Sequence, residues 1–264
     1  MSDTSQPNPR PTMGGTPSTL GIGTMLGETF SIFVSRIGLF AVIGMVVMIA
    51  ISVLTFMFFG SALLDANSLT NPTSFWTATV FASILSLVGT SLLMGILALA
   101  AYDAKLGRPA RLSVYIGAAL SVIVPLTVLS IVSAIAMSIG FILLIVPGLY
   151  ILTVWCVAAP AIVIERAGFS GLSRSAELTK GYRWPVFGYI ILLFIINIVI
   201  AGLFMLVAGL ASFTAPNTIV DYIVQGVANG LSTAIYAIGV VVLFARLKEV
   251  KEGLGMEDLA DVFA

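Results

Sequence analysis

A chain of 264 residues that is 59% hydrophobic and only 9% charged, with a mean hydropathy of +1.13, lacks the polar surface of a soluble domain, which carries about 25% charged residues. Twelve Lys and Arg balance twelve Asp and Glu, so nucleic acid is not an expected partner. Histidine is absent and Cys156 is the single cysteine, which removes the commonest general base and metal ligand and any internal disulfide; no cofactor and no metal are expected.

Residues 1–19 hold Pro7, Pro9, Pro11 and Pro17 among Ser, Thr, Asn and Gly and read as a disordered tail. No apolar core follows closely enough to make that tail a signal peptide. Residues 20–36 set Leu20, Met25, Leu26, Phe30 and Phe33 near helical spacing, apart from Glu28 and Arg36, as in a helix lying in the headgroup plane.

Stretches without charge then cover 37–64, 66–101, 112–164, 186–220 and 222–245. A spanning helix takes about 20 apolar residues. Spans are therefore expected at 38–60, 76–101, 118–144, 147–164, 186–211 and 223–245. The long 112–164 stretch divides at Pro147-Gly148, because proline suits the first turn of a helix and cannot continue the helix before it.

Between the fourth and fifth spans, 169–184 sets Phe169, Leu172, Ala176 and Tyr182 against Arg174, Glu177, Lys180 and Arg183, a second interfacial pattern. Residues 246–264 form a short charged end in which Leu254, Leu259, Val262 and Phe263 accompany Glu257, Asp258 and Asp261. The expected fold is all-α, a polytopic transmembrane helical bundle of six spanning helices plus interfacial amphipathic helices, with the membrane domain at 20–245.

Six spans put all twelve basic residues on one side and leave only Asp65 and Asp221 in the opposite loops. The positive-inside rule then places both termini in the cytoplasm. Arg36, Arg111, Arg174, Lys180 and Arg183 form the expected interface for anionic lipid or a membrane-protein partner. Each such charge is worth about 1 kcal/mol near an anionic leaflet.

Arg36-Ile-Gly-Leu-Phe40, Arg111-Leu-Ser-Val-Tyr115 and Arg183-Trp-Pro-Val-Phe187 recur 75 and 72 residues apart. They read either as a threefold repeat of interfacial segment plus hairpin or as coincidence among boundary arginines.

No charge is expected at membrane depth, which argues against proton-coupled transport. Asn197, Gln225 and Asn229 are the polar side chains that line a path or, the preferred reading, bond between helices. Gly226, Gly230 and Ala234, four apart, favour close helix packing within the bundle over homodimerisation. Glu165 and Arg166 read as a cap or an ion pair. There is no H-E-x-x-H, no P-loop and no paired-carboxylate site, so no catalytic residue is assigned.

From Pro147-Gly148-Leu149-Tyr150 through Trp155, Pro160 and Glu165 to Ser175-Ala-Glu-Leu-Thr-Lys-Gly181, Arg183-Trp184 and Phe187-Gly188, the chain resembles bacterial inner-membrane proteins grouped with the membrane domain of glycerophosphodiester phosphodiesterases. The resemblance implies six spans in a bacterial inner membrane, an interfacial helix before the first, and shape-determining or cytoplasmic-interface roles for those residues. It implies no catalysis, because the catalytic barrel of such enzymes uses histidine and metal-binding carboxylates and has no room in this chain. The expected function is a non-enzymatic scaffold or accessory protein engaging anionic lipid or a membrane partner. The alternative is a transporter or facilitator for a small uncharged or lipid-like solute, with Asn197 and Asn229 lining its cavity.

Overall fold

The computed structural model describes residues 20–63, 72–214 and 218–253, and all regular structure among them is helical. In chain order the helices are α1 (Ile22–Ser35), α2 (Ile37–Leu63), α3 (Pro72–Lys105), α4 (Leu112–Ser121), α5 (Ile123–Leu143), α6 (Ile145–Trp155), α7 (Ala158–Ile164), α8 (Gly171–Thr179), α9 (Arg183–Thr214) and α10 (Thr218–Glu252), with a 3-10 turn at Gly168–Ser170. The expected tail at 1–19 and most of the 246–264 end lie outside the described residues.

Six stretches are long and apolar enough to cross a membrane: Ile37–Thr55, Phe75–Lys105, Ile123–Leu143, Ile145–Ile164, Arg183–Val207 and Val227–Glu252. Each overlaps one expected span, and together they make this a multi-pass membrane protein. α3, α9 and α10 run to 34, 32 and 35 residues, about 50 Å each at 1.5 Å per residue against about 30 Å of hydrocarbon. They therefore tilt or extend beyond the apolar layer. A hydropathy pattern marks the apolar part of a helix, not its backbone ends.

Three prolines shape the middle of the chain. Pro125 sits in the first turn of α5, lacks the N–H that would bond the Ser121 carbonyl, and separates α5 from α4 at Val122. Pro147 occupies the first turn of α6, but the break itself is three residues earlier, at Leu144 in extended conformation. Gly148 matters for contact instead: a Cβ on Gly140 would lie 2.9 Å from the Gly148 Cα, so α5 and α6 close face to face. Pro160 lacks the N–H due to the Cys156 carbonyl, and the fourth span, expected as one helix, is two pieces.

α10 forms the axis of the bundle. From Ala234 to Leu247 nearly every residue is buried, including Ile238, Val242, Leu243 and Phe244, as expected of a helix that is hydrophobic all round. α2, α3 and α9 pack around it, and α2, α5 and α9 turn large apolar side chains outward, Met57, Phe58, Ile139, Phe194 and Met205 among them. In lipid this is the ordinary outer surface of a span.

Within the expected packing stripe, Gly230 meets Gly44 of α2 backbone to backbone and Ala234 is fully buried. The surroundings of Gly226 are outside the description.

α1 buries Met25, Thr29, Ile32 and Phe33 against this core and leaves Phe30 and Val34 outward. A polar pin fixes it. The Tyr189 hydroxyl donates to the Gly239 carbonyl at 3.1 Å and meets the Thr29 hydroxyl at 2.9 Å, joining α1, α9 and α10. Tyr189→Phe removes both contacts while Thr29 keeps its bond to the Met25 carbonyl at 2.8 Å, and should cost about 1 kcal/mol. Thermal unfolding in detergent measures it, and a wild-type midpoint would show that the pin is idle.

The order of short helix then hairpin occurs three times: α1 before α2–α3, α4 before α5–α6–α7, and α8 before α9–α10. Arg36 and Arg183 lead directly into α2 and α9, whereas Arg111 leads into α4, one short helix upstream of the third span.

Candidate functional site

Among the described residues the charged side chains gather where the last turns of α10, the end of α7, α8 and the end of α3 meet. At the centre is Glu165, just past α7. Arg174 of α8 grips it with Nε at 2.7 Å and Nη2 at 3.1 Å, a bidentate geometry suited to guanidinium and carboxylate. Lys248 of α10 adds a contact of 2.7 Å to Glu165, and Glu252 of α10 closes the ring by pairing with Arg174.

Burial alone would raise the Glu165 pKa, but the hydrogen bonds and charges of Arg174 and Lys248 outweigh it and hold the carboxyl below its usual range. The Arg174 guanidinium is correspondingly stabilised in its charged form, chiefly by Glu165. Glu165 thus ties α7, α8 and α10 together through distant residues and not through its neighbour Arg166.

A second cluster surrounds Asp103 near the end of α3. The carboxylate is buried and accepts the Tyr115 hydroxyl at 2.8 Å, with Arg111 at 3.4 Å and Arg108 at 4.0 Å. Burial raises the Tyr115 phenol, and donation to Asp103 adds to the shift. Lys105 pairs with Glu28 of α1, and Arg36 donates to the Arg108 carbonyl at 2.6 Å.

These contacts revise the expected basic face. Of its five members, Arg174 is held inside the ion-pair ring, while Arg36 and Arg111 secure the α3–α4 loop. Arg183 lies 4.8 Å from the ring centre of Tyr150, its Nε buried without a hydrogen bond. Only Lys180 stays exposed with no partner among the described residues. It borders a recess of about 320 Å³ with Arg174, Glu177, Lys251 and Glu252.

Sequence reasoning missed Asp103, and it named Tyr115, Glu28 and Arg166 without the roles they have here: Tyr115 donates to Asp103, Glu28 pairs with Lys105, and Glu165 pairs with Arg174 and Lys248. Arg166 is exposed, has a left-handed backbone (φ 53), and its guanidinium has no partner among the described residues. An acid placed among the basic residues of 105–111 was the available signal for Asp103.

Asn197 and Asn229 line no cavity among the described residues. Asn197 donates to the Leu193 carbonyl of its own helix at 2.9 Å. Asn229 is exposed, its carbonyl accepting Thr233, and the surroundings of Gln225 are outside the description. The concavity at membrane depth lies elsewhere, in a cleft of about 520 Å³ between α3, α5 and the broken α6–α7 pair, with Tyr236 of α10 beside it.

Where the break frees the Val154 carbonyl, Ser175 of α8 donates to it at 2.7 Å, with Thr179 at 3.4 Å. Irregular backbone inside a bundle is tolerated only with such partners or beside a cavity. Among the described residues no group of three His, Cys, Asp or Glu is placed to hold a metal ion. Comparison with family models, with curated proteins and with solved structures finds no match for this chain.

Proposed function

We propose that this protein is a non-enzymatic scaffold or accessory protein of a bacterial inner membrane, with both termini cytoplasmic, that engages anionic lipid at its charged end. The likeness of 147–188 to the membrane domain of glycerophosphodiester phosphodiesterases is read as one of fold. A membrane-protein partner at the same end remains the other occupant of this reading.

The observation that carries it is the division of labour among the cations. Asp103, Glu28, Glu165 and Glu252 pair with five of them, Lys105, Arg108, Arg111, Arg174 and Lys248, in a collar of ion pairs. Lys180 and Arg166 stay open, close in sequence to the exposed aromatics Trp184 and Phe169. Open cations beside exposed aromatic rings are the composition of a headgroup contact.

Replacing Lys180 and Arg166 with Gln should reduce retention of an anionic over a zwitterionic phospholipid by about fivefold for each charge, the equivalent of about 1 kcal/mol apiece. Native mass spectrometry of the detergent-solubilised protein reads this directly. Equal retention by wild type and double variant, together with unchanged co-purifying proteins, would remove the proposal.

Passage of a lipid-like or small uncharged solute is the second reading. The observation that favours it is the cleft beside α6–α7, not Asn197 and Asn229.

A further inference from the structure

The cleft between α3, α5 and α6–α7 has the properties of a site for one flexible apolar chain. Its lining contains no Asp, Glu, Lys or Arg, so nothing in it recognises a charged ligand. Two of the hydroxyls that line it are engaged by their own helices, Thr90 on the Ser86 carbonyl and Ser130 on the Leu126 carbonyl, each at 2.7 Å, while the rest of the lining is chiefly Leu, Met, Ile, Ala and aromatic side chains. A nucleotide or other charged ligand would leave its charge unpaired against such a lining. An alkyl chain asks for no partner.

The trough exists because α5 presents Ser130, Ser133, Ala134 and Ser138 where bulkier side chains would fill it. Along α5 it runs from Leu126 to Phe141, about 22 Å at 1.5 Å per residue. It is therefore long and narrow, and its volume falls in the range of about 300–1,000 Å³ usual for ligand sites. On α3 it continues into a shallower groove past Ser86, Ser83 and Thr79.

Beside it, α5 turns Val128, Val132, Ile135 and Ile139 outward, and α3 turns Val80, Phe81 and Ile84. Its mouth is thus set in a surface of the kind that meets lipid tails.

We propose that this cleft holds one acyl chain of a membrane phospholipid, with the headgroup at the end where Ile162 and Leu172 line it and Arg166 supplies a cation. The last element rests on the anionic-lipid reading above; the chain site itself does not. Arg166 follows Ile162 by four residues, and its strained left-handed backbone is held without a glycine. Strain of this kind persists where surrounding structure fixes it, and here it lies two residues past the end of α7, the helix whose Ile162 lines the cleft.

Trp155 lines the cleft and reports on it. With Trp76→Phe and Trp184→Phe it is the one tryptophan left in the full chain. In vesicles containing a minor share of phosphatidylcholine brominated on one acyl chain, Trp155 emission should fall by more than half. Filling the trough with Ser133→Phe and Ala134→Leu should restore most of it. An unquenched Trp155, or quenching that survives filling, overturns the chain site.

Ser138→Leu, a milder filler, replaces the double variant if that one fails to reconstitute. Native mass spectrometry of the unmodified protein after delipidation should still find one retained phospholipid; none retained also overturns the site. Brominated phosphatidylglycerol should quench about fivefold more effectively than the zwitterionic lipid, and Arg166→Gln should erase that difference. Quenching without any anionic preference keeps the chain site and removes the anionic-headgroup reading.

Discussion

Gly230→Leu is expected to abolish assembly of the bundle, and Gly230→Ala to cost about 3 kcal/mol, the upper end of ordinary overpacking. At the crossing of α10 and α2, a Cβ on Gly230 would lie 3.0 Å from the Gly44 carbonyl carbon and 3.1 Å from the Met45 nitrogen. A Cβ on Gly44 would lie 2.8 Å from the Gly230 Cα. The opposing atoms are backbone and cannot rotate aside, so the two helices must separate. Separation unseats the helix on which α1, α3 and α9 also pack.

Helix association in lipid depends on such close approach, because lipid tails are as apolar as the side chains they would replace. Gly202→Ala is the control. That glycine is exposed on α9, nothing lies within 4 Å of its added Cβ, and the change should be neutral or stabilising by up to about 1 kcal/mol. Unfolding in mixed micelles and monodispersity after solubilisation distinguish the two. A Gly230→Leu protein that is as monodisperse and stable as the Gly202→Ala control would show that the crossing does not hold the bundle.

The partner of Gly230 also shows where sequence reading stops. Small residues four apart announce a close contact from one helix alone, and one of them, Gly230, meets Gly44 of α2 backbone to backbone. Gly44 carries no such pattern of its own, since the residues four before and four after it are Phe40 and Met48. Its role appears only when the two helices cross.

Spans were legible for the same reason in reverse. A run of about 20 uncharged apolar residues has one low-energy solution in lipid, with every backbone group bonded inside the helix. The break of the fourth span was legible in principle, since Pro160 stands mid-span, but proline in a membrane helix also forms mere kinks. Here the Ser175 hydroxyl at 2.7 Å, with Thr179 at 3.4 Å, satisfies the Val154 carbonyl at the break, which lets an open break persist inside the bundle.

The charged end was the least legible. Twelve basic residues on one side predicted an open cationic face, but electrostatic pairing joins groups far apart in sequence. Arg174 reaches Glu252 across 78 positions and Lys105 reaches Glu28 across 77. No local pattern anticipates such partners.

Arg174→Met should produce the other large effect, about 2–3 kcal/mol. Removing one member of a buried ion pair typically costs about 3–5 kcal/mol, and the residual exposure here, 27% for the Arg174 side chain and 15% for Glu165, moderates that figure through solvent screening. Loss of the guanidinium leaves Glu165 with Lys248 alone and Glu252 without its strongest partner. A double-mutant cycle with Glu165→Gln should return a coupling of about 1–2 kcal/mol.

The pH dependence has a definite sign. Because the folded-state pKa of Glu165 is lowered from its ordinary 4.5, the carboxylate contributes its stability fully above that value. The contribution is lost as pH falls through the lower, folded-state pKa. Thermal midpoints of the wild type should therefore be insensitive to Glu165 between about pH 6 and 8 and decline on acidification below the usual carboxylate range of about 4.

In Glu165→Gln the whole curve should start lower and fall less steeply in that acid window. Equal acid sensitivity in the two proteins would mean that the collar is held by something other than the Glu165 carboxylate. In that case Glu252, which also faces Arg174 and Lys248, would be the carboxylate that holds them.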